Sequence, residues 1–149
     1  MRKAEIYYFK QDYEQAVEAL KHVDGGLPFA KYRDILINKI KAKEAQANGD
    51  TLTRDSLYRV ILNDYEKYYQ DVEVVLKRTL RGKDEDKVFY SWANTILVEM
   101  FHYKLKLEKQ EIVIHQIDSL QKAINGNKEY FDHLKKLLIK DKNYEVLFE

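Results

Sequence analysis

FYSWANTILVEMFHYKLKLEKQEIVIHQIDSLQKAI, residues 89–124, decides how this chain folds. Phe89, Trp92, Ile96, Met100, Tyr103, Leu107, Ile114, Ile117, Leu120 and Ile124 return there at helical spacings, so they share one face of an α-helix. Asp84-Glu85-Asp86 puts negative charge where a helix start favours it, and Asn125-Gly126 supplies a stop. The pattern predicts one long helix over about residues 84–125, roughly 60 Å at 1.5 Å per residue. A compact chain of this size is only about 40 Å across. Either the helix breaks within the polar stretch Lys104 to Glu111, or the bundle is elongated and a second copy packs along it. Glu111-Ile-Val-Ile-His115 also carries the β-branched content of a short strand.

Outward from this stretch the same spacing repeats. Ile6, Phe9, Tyr13, Ala16, Leu20 and Val23 form a stripe over about residues 2–23, stopped by Asp24-Gly25-Gly26. Pro28 suits the first turn of a second helix to Ala47, burying Phe29, Tyr32, Leu36 and Ile40 and ending at Asn48-Gly49. A third helix, with Thr53 as its expected N-cap, carries Leu57, Ile61, Tyr65, Tyr68, Val72, Val75, Leu76 and Leu80 before Arg81-Gly82. Asn127 is placed to cap a last helix bearing Tyr130, Phe131, Leu134, Leu137 and Leu138, and the tail Tyr144-Glu-Val-Leu-Phe148 is apolar enough to dock. The expected fold is all-α, an antiparallel bundle of four or five helices forming a single domain over residues 1–149.

Bulk properties narrow the function classes. At 149 residues, 45% hydrophobic and 34% charged, the chain suits one globular core. Its 26 basic and 25 acidic residues are interleaved along its length, unlike the concentrated positive charge of a nucleic-acid binder. Folding would have to gather Lys77, Arg78, Arg81 and Lys83 with Lys104, Lys106 and Lys109 to make a basic patch. With no cysteine there is no disulfide, thiolate nucleophile or cysteine metal site. No stretch has the length of a membrane span or the apolar core of a signal peptide, and the cytoplasm is the expected location.

Chemistry-bearing patterns are sparse. Glu99-Met-Phe-His102 has the Glu-x-x-His spacing that aims two ligands inward from successive turns; a ferritin-like di-iron centre needs two such pairs and two further carboxylates, for which Asp64, Glu66 or Asp71 are candidates. Glu18 with His22 and Glu111 with His115 stand four apart and depart from that pattern. The 12 tyrosines and Trp92 invite base stacking, but Tyr65, Tyr68, Tyr90 and Tyr103 fall on or near the core stripes, where packing explains them. Neither a Ser/His/Asp arrangement nor a Gly-rich phosphate loop is present, and no Arg precedes a His by four to six residues, the spacing of the HEPN helical ribonucleases.

Two local resemblances carry expectations. Tyr7-Tyr-Phe-Lys-Gln-Asp-Tyr-Glu-Gln-Ala-Val-Glu-Ala-Leu20 resembles the middle of a tetratricopeptide repeat, which implies a peptide-binding repeat. The glycine that separates that repeat's two helices is missing, and no second copy occurs about 34 residues on. His133-Leu134-Lys135-Lys136 resembles the phosphorylatable segment of histidine-phosphotransfer bundles, but Lys135 and Leu137 stand where that motif has Leu and Gly.

The reading is therefore a non-enzymatic protein-interaction or regulatory module, homodimeric, with an unidentified protein partner and no cofactor or catalytic residue assigned. Leu107, Ile114, Ile117, Leu147 and Phe148 are the expected interface, because an uncovered apolar stripe is an association surface. The alternatives are a ferritin-like metal protein using Glu99 and His102, and, third, a nucleic-acid-binding helical protein.

Overall fold

The computed structural model describes residues 1–23, 29–78 and 87–140, leaving out the side chains of 29–31, 72, 75, 76, 78 and 87–93. The protein is all-α: α1 (Arg2–Phe9), α2 (Tyr13–Lys21), α3 (Phe29–Ala47), α4 (Thr51–Arg78), α5 (Lys87–Leu107), α6 (Gln110–Ile124) and α7 (Lys128–Lys140), with no strand among the described residues. The helix stops at Asp24-Gly25-Gly26 and Arg81-Gly82, Pro28, the acidic start Asp84–Asp86, Leu80 and the tail with Leu147 and Phe148 lie outside the described residues. So do the side chains of Phe29, Val72, Val75, Leu76, Phe89, Tyr90 and Trp92.

Two expected rods are each two helices, which raises the expected four or five to seven among the described residues. The rod over about 84–125 breaks at Glu108-Lys109, within the polar stretch, where Lys109 turns extended at φ −66° and ψ 143°. Glu111–His115 is helical despite its β-branched residues, because packing of Val113 and Ile117, both 0% exposed, outweighs a propensity penalty of a few tenths of a kcal/mol. The first rod breaks at Lys10–Asp12, within the repeat-like segment, into α1 and α2.

Three connections use one device. Gln11 (φ 59°), Gly49 (φ 71°) and Asn125 (φ 52°) take the left-handed conformation just past a helix. The next amide then reaches back five residues to close the helix: Asp12 to Tyr7 O at 2.9 Å, Asp50 to Ala45 O at 2.9 Å and Gly126 to Gln121 O at 2.9 Å. A side-chain cap reopens the chain as helix at once. The Asp12 carboxylate accepts from the Gln15 amide (3.3 Å), Asp50 from the Thr53 amide (3.1 Å), and the Asn127 side-chain oxygen from the Tyr130 amide (3.1 Å). Asp50, not the expected Thr53, is thus the cap of α4, and Thr53 donates its hydroxyl to the same carboxylate at 2.6 Å. Asn127 caps α7 as expected.

The chain divides into two compact units at Asp64/Tyr65, within α4. In the first, Ala4, Ala16, Val17, Leu20, Leu36 and Ile40 form a core flanked by Tyr7, Tyr8, Tyr13 and Tyr32. Burying Leu20, Leu36 and Ile40 contributes about 1.5–3 kcal/mol each. Small Ala4 and Ala16, both 0% exposed, let α1 and α2 approach closely. The expected stripe is corrected here: Ile6 and Phe9 are 50% and 70% exposed. The turn at Gln11 makes α1 a separate helix with its own inward face, Ala4, Tyr7 and Tyr8.

In the second unit α5, α6 and α7 pack on one another. Every residue from Ile96 to Tyr103 is buried, so α5 is enclosed on all sides over two turns. Val113, Ile117 and Ile124 from α6 and Tyr130, Phe131, Leu134 and Leu138 from α7 complete the core. The Tyr130 hydroxyl donates to Asn94 Oδ1 (2.9 Å), and Lys135 donates to Asp118 (2.8 Å), joining α7 to α6.

Candidate functional site

Glu99 and His102 stand on successive turns of the enclosed part of α5, 2% and 1% exposed. Two ionisable side chains so placed must be matched by polar contacts, since burial of an uncompensated charge is costly. Tyr65 on α4 contributes one such contact, donating its hydroxyl to Glu99 Oε2 at 3.5 Å, and its ring stacks on Tyr103 with centroids 6.2 Å apart. The His102 imidazole meets the Tyr103 ring edge-on at 5.9 Å. The spacing that aims both side chains into the fold was legible in the sequence; their complete enclosure was not. Among the described residues no cluster of three His, Cys, Asp or Glu that could hold a metal ion forms. Glu66 is committed elsewhere, to Lys104 at 3.7 Å. The pair is sealed from solvent, which suits a polar core constraint better than a reacting centre.

The remaining histidine patterns lie at the surface. His22 pairs with Glu18 at 3.3 Å, and Lys21 bonds the same carboxylate, lowering its pKa. His115 and His133 are exposed, and beside His133 the Lys135 ammonium is engaged by Asp118 and Asp132.

A cleft of about 420 Å³ opens between α4, α5 and α6, lined by Glu66, Tyr69, Gln70, Glu73, Met100, Phe101, Lys104, Gln116 and Leu120. Spacing explains its α4 wall: Glu66, Tyr69, Gln70 and Glu73 are three or four apart and share a face. Met100, Phe101 and Leu120 give it an apolar base. Lys104 Nζ donates to Gln116 Oε1 (3.1 Å), lies over the Phe101 ring (5.6 Å) and pairs with Glu66, while Glu73 pairs with Lys77 (2.9 Å). Burial, reinforced by the Glu73 charge, pushes the Tyr69 hydroxyl up to about 12, so at neutral pH it is a protonated donor. The cleft is amphipathic, with its charges already balanced. No sequence motif announced it, because its residues come from three helices.

Three residues of the expected interface, Leu107, Ile114 and Ile117, fall among the described residues. Ile117 is 0% exposed within one chain, and Leu107 and Ile114 are half-buried. Ile96, Met100, Tyr103 and Ile124 of the same stripe are also buried, and Leu120 is half-buried. No described helix is long and apolar enough to cross a membrane. Compared with protein-family models, curated proteins and solved structures, the chain matches none.

Proposed function

We propose that this protein is a non-enzymatic protein-interaction or regulatory module whose contact surface is the α4/α5/α6 cleft. The observation that carries the reading is the cleft's make-up: an apolar base of Met100, Phe101 and Leu120 beneath a rim of internally paired charges and hydrogen-bonding groups. Such a surface suits a protein segment that inserts one apolar side chain and hydrogen-bonds at the rim. A cytoplasmic location and self-association into a homodimer belong to the same proposal.

Affinity purification from the native cell, comparing the parent chain with Leu120→Glu, tests it. A partner retained by the parent and lost by the variant supports the cleft; equal retention by both sinks it. Absence of any retained protein counts against the interaction reading as a whole.

A further inference from the structure

The bend between α5 and α6 is built unlike the other short connections. Those at Gln11, Gly49 and Asn125 each have a left-handed residue and a side-chain cap, whereas the bend has neither: Lys109 is extended and supplies no cap. Lys104-Leu-Lys-Leu-Glu-Lys-Gln-Glu111 contains no Gly or Pro and is composed of strong helix formers. Local preference there is for uninterrupted helix. What holds the bend is tertiary: burial of Val113, Ile117 and Ile124, and a polar clasp in which Gln116 accepts from Lys104 (3.1 Å) and donates to Glu108 Oε2 (3.2 Å).

We propose that Glu108-Lys109 is the hinge of a domain swap, in which α5 and α6 join into one rod and the α6–α7 hairpin docks on α5 of a second copy of this chain. The occupant is dictated by complementarity. The surface of α5 that receives α6 and α7 is already shaped for them, and an identical chain presents an identical surface. Tyr130 to Asn94 would then form between chains, while Lys135 to Asp118 stays inside the travelling hairpin. The swap removes an uncapped pair of helix ends from each chain and keeps the core contacts; the entropy of association opposes it, so it responds to concentration. This rests on the homodimer part of the proposed function and supplies its geometry.

Gln110→Pro separates the two states. Residue 110 opens α6, where proline is tolerated, and Lys109 already has the extended backbone that precedes a proline; inside a continuous rod the same proline breaks the helix. Light scattering after size-exclusion chromatography should show a dimer fraction of the parent protein that rises with concentration during refolding. In Gln110→Pro that fraction should fall at least tenfold with helicity retained. A dimer equally abundant in the variant overturns the swap but leaves an ordinary homodimer standing, and a parent chain monomeric throughout overturns both.

Should Gln110→Pro not fold, the cysteine-free chain allows spin labels at Thr95→Cys and Ser119→Cys, both exposed positions, in dimers diluted with unlabelled protein. A distance within one chain of about 36 Å, the span of 24 residues of unbroken helix, supports the rod. The shorter distance of the bent form, persisting in the dimer, overturns it.

Discussion

The Phe131 ring occupies the space that a Cβ on Gly126 would need. Phe131 is 0% exposed and held edge-on by Tyr130 at 5.2 Å, so it has little room to retreat. Gly126 therefore serves close approach, while its neighbour Asn125 takes the left-handed conformation. Gly126→Ala should destabilise the protein by about 1–3 kcal/mol, as overpacking does. Urea denaturation checks this, and adding Phe131→Leu should restore part of the loss.

Gln11 presents the opposite case. Its φ of 59° is strained for a side chain with a Cβ, and glycine relieves this at the expense of a more flexible unfolded chain. Gln11→Gly should raise stability by up to about 1 kcal/mol. Asn125→Gly should gain less, because asparagine tolerates that conformation better. A lower urea midpoint for Gln11→Gly would show that the turn is not strained.

Hydrogen bonds from the Thr53 hydroxyl and amide hold the Asp50 carboxyl below its ordinary pKa. A depressed folded-state pKa means the cap contributes fully above about pH 4, the unfolded value, and loses its contribution as pH falls through the folded value. Asp50→Asn keeps a capping oxygen that does not titrate, so its melting temperature should fall less steeply than the parent's below pH 4. Asp50→Ala should melt a few degrees lower at pH 7. Calorimetry across pH 2–7 reads both.

Gln116→Ala removes both hydrogen bonds of the clasp across the α5–α6 bend. A cost of about 0.5–1.5 kcal/mol is expected for a partly exposed pair of this kind. Calorimetric stability equal to the parent's would mean the bend is held by apolar burial alone.

Tyr69 should titrate near pH 12, seen as the phenolate absorbance change lost in Tyr69→Phe. Glu73→Gln removes the charge contribution and should lower that midpoint, leaving it above the usual value because burial, the larger cause, remains. Titration at the ordinary tyrosine value would mean the cleft wall is open to water.

Periodicity made the helices legible, and side-chain chemistry made some boundaries so. Asn48-Gly49 and Asn125-Gly126 read as stops because glycine and asparagine adopt positive φ readily, and Asn127 read as a cap because its amide reaches an orphan backbone donor. The break at Gln11 was hidden, since glutamine does not advertise a left-handed turn. The bend at Lys109 was legible only as one of two alternatives, a break within Lys104 to Glu111 or a continuous rod, because its neighbours all favour helix and the apolar spacing runs through it. The Glu99/His102 pair was visible as a motif, yet spacing alone does not distinguish a metal site from a buried polar pair.

The amino-acid order by itself determined an all-α chain and the faces of α3 and α7 that turn inward. Those follow from nearest-neighbour geometry on a helix, which needs no knowledge of what lies opposite. Tertiary structure alone decided that the longest apolar stretch folds back on itself, that Ile6 and Phe9 face water, and that residues from α4, α5 and α6 meet as a cleft. Each depends on free energy gained between helices distant in sequence, a gain large enough to override local preference and invisible in any window of adjacent residues.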